Sequence, residues 1–453
     1  MVGLWLSRAI GEETMRDRLG NIVTGANAAS LEHYERGLRQ LQTFTGDPVA
    51  SANAAIAESP GFVMAQMLKA WLYGLSTDKA AMDVARQIHA TVKNLPMTAR
   101  EAGHVAALGR LVGGEWNGAG ETLAAVARDF PRDALALQAG HQIDFFTGNA
   151  PMLRDRIAGA LPHWDHAMPG YHALLAAHAF GLEETGDYTA AEAAGRKAVE
   201  LEPHDGWGQH AVAHVMEMQC RQADGIGWMK TAFANGADDS FMKVHNWWHL
   251  ALFHYDLGEH DEIFSLYDGP IYGDHSTLAL NMVDAAALLW RLHLGGVEAG
   301  ERWQVLADNW TPLAGDGNYA FNDMHAMMAF AAAGRTDAAR TLLATQEAAV
   351  EGGGDNAGFT RAIGLPATRG ILAFENGDYR TAVELLGPIR AIAHRFGGSH
   401  AQRDVIDLTL IEAAIRSGDA ARAQRLTEER MVARPHSPLS KLFQSRARDL
   451  TPV

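Results

Sequence analysis

Apolar positions recur along this chain at the three-to-four-residue spacing of a helix, and no stretch alternates long enough to predict a strand. The clearest unit runs from Tyr171 to Pro203. YHALLAAHAFGLEETG reads as one helix, Gly186-Asp187-Tyr188 as a tight turn, and TAAEAAGRKAVELEP as a second helix that stops at Pro203. Ala177, Ala179, Ala190, Ala191 and Ala194 leave room for the two helices to approach closely. Glycine gives the turn its backbone freedom, and proline cannot continue the second helix.

The same punctuation returns along the sequence. AFENGDYRTAVELL turns at Gly377-Asp378-Tyr379, and AAIRSGDAARAQRL turns at Gly418-Asp419 and ends at Arg434-Pro435. Weaker turns are expected at Gly46-Asp47, Gly114, Gly148-Asn149, Gly225, Gly258-Glu259, Gly295-Gly296 and Gly334. From Gly114 onward their spacing is 34, 38, 39, 33, 38, 38, 43 and 41 residues, close to the period of a tetratricopeptide unit. The pattern predicts an all-α fold: a tetratricopeptide-repeat α-solenoid, a right-handed superhelix of about ten antiparallel helix pairs. Residues 1–453 read as one solenoid domain, with an N-terminal extension over 1–26 and repeats over about 27–445. The longest breaks are Asp268–Ser276, Thr311–Asn318 and Glu351–Pro366. The last contains EGGGDNAG and is the one expected to be a mobile loop; none has the look of an interdomain linker.

Length and charge narrow the functional classes. A chain of 453 residues exceeds the usual size of one compact core, but a repeat array escapes that limit because each unit packs only on its neighbours. The formal net charge is -16, a balance that repels phosphate backbones and anionic lipid, so neither a nucleic-acid nor a membrane partner is expected. One cysteine, Cys220, rules out an internal disulfide framework and a thiolate zinc cage. The apolar run Val2 to Leu6, followed by Arg8, Glu12 and Glu13, is too short for a signal peptide. A cytoplasmic location is the expectation.

Histidine carries the candidate chemistry. Thirteen of the 21 histidines lie between His141 and His275. His210, His214 and Glu217 fall on one face of one helix, and the next inward helix, expected at 241–257, carries His245 and His249 at i and i+4. His254 points away. His210, His214, His245 and His249 could hold a divalent metal such as zinc, nickel, iron or manganese. Alternatively, the same groups with Glu217 and Asp323 could act as acids and bases in a hydrolase or lyase. They could also simply line a pocket or form a structural network. HAVAH lacks the glutamate of the HExxH zincins, so the spacing is not diagnostic.

Further polar residues are candidates for the same inward surface. His141 and Asp144 share a face, Asn246 adjoins the histidine pair, and Trp207 is an aromatic candidate for the wall. Asp284 lies in an apolar helix and needs a partner, with Arg291 one option. Asn322 or Asp323 could cap a helix, and His325 shares the face of Asn322. Ser399 and Gln402 form a capping-box pattern. Arg403 would suit a substrate carboxylate, or else a salt bridge to Asp404 or Asp407. The partner expected on such a concave surface is a small molecule or a short peptide, with a pure protein-interaction scaffold as the alternative.

Several strings lie outside the generic repeat: PHDGWGQHAVAHVMEM at Pro203–Met218, HNWWHLALFHY at His245–Tyr255, FNDMHAMMA at Phe321–Ala329, GLP at Gly364–Pro366, GGSHAQRD at Gly397–Asp404 and RPHSPL at Arg434–Leu439. Together they resemble the tetratricopeptide repeat protein 38 family, over nearly the whole chain from about Asn27 onward. The resemblance implies the fold and no particular reaction. Members of that family can carry Asn where this chain has His400, so the resemblance assigns His400 no essential role.

Overall fold

The computed structural model describes residues 15–236 and 240–450. The run Val2 to Leu6 and the charges behind it lie outside the described residues. Among those described, α-helices follow one another in antiparallel pairs, and the strand-like pairings are two isolated bridges, Arg16 with Ile22 and Thr45 with Ser240. The chain is a tetratricopeptide-type α-solenoid. No helix among the described residues is long and apolar enough to cross a membrane.

The Gly-Asp dipeptides do two jobs at once. In the pair Tyr171–Glu184 and Tyr188–Leu201, Gly186 takes the left-handed conformation (φ 87°) that closes the first helix. Asp187 then caps the second by accepting from the Ala190 N–H at 3.2 Å. Asp47, Asn149, Asp378 and Asp419 cap their helices in the same way. The turn expected at Gly225 is instead formed around Cys220, whose φ is 56°. Gly225 lies inside the helix Gln222–Ala234, where a Cβ would stand 2.2 Å from the Phe253 ring. That glycine serves close helix packing rather than a turn. Cys220 stands 34 residues after Gly186 and 38 before Gly258, so the corrected turn keeps both flanking repeats within the array's ordinary spacing.

The segment expected to be a mobile loop is largely helical and anchored. Helix Asp355–Phe359 runs through a wide turn at Thr360–Gly364 into helix Leu365–Glu375. Gly354 (φ 82°) passes so close to Gly114 that a Cβ would meet its carbonyl oxygen at 2.8 Å. The Asp355 N–H donates to that oxygen at 2.9 Å, and the Asp355 carboxylate accepts from the Asn117 N–H at 2.8 Å. Distant parts of the array meet here because the superhelix curls on itself. The Tyr319 hydroxyl donates to the Phe146 carbonyl at 3.0 Å, and the Asn318 amide to that of Thr77 at 2.8 Å.

Curling buries the inward helices. Every residue from Met282 to Leu292 in helix Ala279–Leu294, and from Ala320 to Phe330 in helix Ala320–Ala332, is buried. The largest hydrophobic cluster joins residues from Val23 to Ala177 with residues from Val244 to Ala447, and two smaller clusters pack the helices between them. Most of the polar residues that the sequence places on the inward surface are therefore buried, where unpaired polar groups are costly.

Candidate metal centre

Two neighbouring inward helices, Gly206–Met218 and Lys243–Leu257, each present a pair of histidines one turn apart. His210, His214, His245 and His249 each offer a ring nitrogen, and these nitrogens lie within 4.8 Å of one another. The Nε2 atoms of His210 and His245 are 3.1 Å apart. Ring centroids are separated by 4.4 Å for His210 and His214, 4.4 Å for His214 and His249, and 4.9 Å for His245 and His249. His210, His214 and His249 are buried, and His245 keeps a narrow exposed edge.

Carboxylates stand behind three of the four rings. Asp284 Oδ2 lies 2.9 Å from His245 Nδ1. Glu217 Oε2 is 3.3 Å from His249 Nδ1, and Glu183 Oε2 is 3.5 Å from His214 Nδ1, both without the alignment of a hydrogen bond. In each case the carboxylate approaches Nδ1, leaving Nε2 as the nitrogen free to face the cluster. A carboxylate behind each ligating imidazole is the arrangement that fixes ring orientation in metal sites. Both nitrogens of His214 and of His249, and both oxygens of Glu183, are buried without a hydrogen-bond partner.

His104 shows how this fold treats a structural histidine. It is equally buried, but its Nδ1 accepts from Trp71 Nε1 at 3.2 Å and its Nε2 lies 2.9 Å from Asp133 Oδ2, which also binds Arg100 at 2.8 Å. His141 also has both ring nitrogens buried without a hydrogen-bond partner, so what sets the four histidines apart is that their nitrogens converge.

Electrostatics favour the neutral form of His210, His214 and His249. Burial, and then the neighbouring rings, push His210 and His214 well below the ordinary imidazole range. Burial also lowers His249, against the pull of Glu217. Neutral imidazole is the form that binds a cation. Burial and the charges of Glu184 and Glu217 hold Glu183 well above the carboxylate range. Burial acts the same way on Glu184, but Arg403 and His400 outweigh it and bring that carboxyl to about 2.

The other candidates divide between this centre and separate networks. Trp207 packs its ring 4.7 Å from His210 and stacks on Phe44, forming an aromatic wall, and His141 lies behind it at 5.9 Å. Asn246 donates to the Gly206 carbonyl at 3.2 Å, tying the two histidine helices together. Asp284 pairs with His245 rather than with Arg291, which donates to the Ala401 carbonyl. Asp144 is drawn away by Arg156, at 2.7 and 3.0 Å. Asn322 binds Thr77 and Asp323 faces Gln346, both away from the histidine cluster. Neither residue caps the helix, which begins at Ala320. His325 Nδ1 lies 2.8 Å from the carbonyl of Phe321. Ser399 and Gln402 do form the capping box. Arg403 meets Glu184 at 3.2 Å instead of Asp404 or Asp407, which pair with Arg430 and Arg390.

Glu183 and Glu184 were missed, and a signal for them existed. They are adjacent acids in the last turn of an otherwise apolar helix, where the helix dipole disfavours negative charge. His400, whose Nδ1 is 3.3 Å from Glu184 Oε1, arrives from more than two hundred residues away.

No protein-family model matches the chain. Among solved structures it is similar to yeast Tom70, with a TM-score of 0.33 and 13% identity over 88% of this chain and 84% of that one. It is also similar to the Naa15/Naa10 complex bound to HypK-THB, with a TM-score of 0.25 and 11% identity over 92% of this chain and 65% of that one.

Proposed function

We propose that this protein is a helical-repeat metalloprotein in which His210, His214, His245 and His249 hold a divalent transition metal that acts on a small molecule. The observation that carries the reading is the convergence of four imidazoles, three of them fully buried and two with no hydrogen-bond partner for either nitrogen. An all-nitrogen set with carboxylates behind it suits zinc, nickel, iron or manganese. Such an ion would supply Lewis acidity toward a carbonyl or a bound water, the basis of metal-assisted hydrolysis or elimination. Glu183 stands behind His214 as a third orienting carboxylate. Asp284 and Glu217 orient His245 and His249.

The strings that carry the resemblance to the tetratricopeptide repeat protein 38 family supply all four histidines, which supports reading its distinctive sequence as this site. A hydrophobic cluster that joins residues 23–177 to residues 244–447 supports taking the repeats as one domain. An open peptide groove of the scaffold kind is less favoured, because the inward helices are packed rather than exposed.

The test is elemental analysis of protein purified without a histidine tag. About one equivalent of a divalent transition metal is expected, with loss of that metal in His214→Ala while circular dichroism stays helical. His104→Ala is the control: it should lower the melting temperature and leave the metal content unchanged. Wild-type protein that stays metal-free after incubation with zinc, nickel, iron and manganese would end the reading.

A further inference from the structure

One cleft reaches the surroundings of the histidine centre. It encloses about 630 Å3 between the turn at 147–151 and the segment 390–403. Glu184, His400 and Arg403 line it. Glu184 also belongs to the group formed with Glu183 and His214, whose ligand atoms lie within 4.8 Å of one another. The cleft and the centre thus share a wall. His400 spans the two, with its Nδ1 3.9 Å from Glu183 Oε1 and its ring partly exposed.

The charge of the cleft is opposite to that of the molecule. On a chain of net charge -16, Arg390, Arg395, Arg403, His394 and His400 face this space, with Glu184 the acid among the lining residues. Glu184 is itself engaged by Arg403 and by the His400 N–H, at 3.2 and 2.8 Å. Arg390 is partly neutralised by Asp407 and Glu429, whereas Arg395 is exposed. Two helix N-termini add to the positive field. Asn149 and Ala150 begin the helix Ala150–Ala160, and Gly398 and His400 stand at the start of the helix His400–Arg416. Backbone N–H groups at such ends favour anions. Burial, then Arg403 and Arg395, lower the pKa of His394, so the positive charge of the cleft belongs to the arginines and not to that ring.

We infer that this cleft binds the oxyanion head group, carboxylate or phosphate, of the small molecule on which the histidine centre acts, with Arg395 and Arg403 as the recognition residues. The inference rests on the metal-centre reading only in naming the cleft as the approach to that centre; the anion site itself is built from the protein's own cations.

The experiment measures binding of inorganic phosphate and of acetate by calorimetry at fixed ionic strength. It uses the full chain both metal-loaded and after chelation, with circular dichroism confirming the fold. Binding of either anion that survives chelation and weakens at least tenfold in Arg395→Glu is the expected result, and the preferred anion identifies the head group. Binding seen only in metal-loaded protein and unchanged in Arg395→Glu would place the anion on the metal and overturn the cleft site. No binding to either form would also overturn it, and would leave the metal reading to its own elemental analysis.

Discussion

Asp323 offers a test of the interior's polarity that is independent of the histidine centre. Its carboxyl is buried at the start of the helix 320–332, with Gln346 Nε2 at 3.3 Å. Burial raises its pKa from 3.8 to about 7, the Gln346 hydrogen bond opposing this and Asp316 adding a little. A carboxyl whose pKa is raised by folding favours the folded state fully while it is protonated in both states, below the unfolded value. That advantage disappears as pH climbs through the folded value. About three pH units separate the two, so at about 1.4 kcal/mol per unit the ionised carboxylate costs roughly 4 kcal/mol above pH 7. Asp323→Asn keeps the shape and removes the charge. Denaturant unfolding of both proteins from pH 5 to pH 8 should show the variant gaining on the wild type by roughly 3 kcal/mol across that window. A stability difference that stays flat with pH would show that Asp323 is ionised comfortably where it sits, and the account of its burial would be wrong.

Two further substitutions test the packing around the site. Arg156→Met leaves the Asp144 carboxylate buried without its cation and should cost about 3–5 kcal/mol in urea unfolding; a loss under 1 kcal/mol would mean that water reaches Asp144. Gly225→Ala drives a methyl into the Phe253 ring and should destabilise by about 1–3 kcal/mol. A neutral result would show that the helices 222–234 and 243–257 can separate at no cost.

The fold was legible because its punctuation is chemical. Where a turn uses glycine followed by Asp or Asn, as at Gly148, Gly186, Gly377 and Gly418, the dipeptide announces both the end of one helix and the cap of the next. Two of the turns that escaped have a left-handed residue that is not glycine. Cys220 and Thr77 take φ values of 56° and 64°, conformations for which sequence gives little warning. The loop at 351–366 was misread for a related reason. Its glycines suggest freedom, but Gly354 is needed for the close approach to Gly114, a contact set by the curl of the whole array.

The site was half legible, and the division follows the geometry. Helical spacing alone brings His210 to His214 and His245 to His249, and adjacency of repeats brings the pairs together. Spacing along one helix cannot show what comes from across the superhelix, so the meeting of Glu184 with His400 and Arg403 was out of reach. Energetics then separates the centre from an ordinary polar core. A buried donor or acceptor left unpaired costs about 1–3 kcal/mol, and His214, His249 and Glu183 leave several such atoms in one place. A domain's net stability is only about 5–15 kcal/mol, so a cluster of this kind is a large local debt. The same chain pairs several other buried charges closely: Arg100 with Asp133, Arg156 with Asp144, and Arg430 with Asp404. That fold gathers ring nitrogens of four histidines within 4.8 Å of one another, those of His214 and His249 without a hydrogen-bond partner, and on the metal reading proposed above it would gain stability from the ion. A cation at that point would complete the pairing that the chain's own side chains leave open.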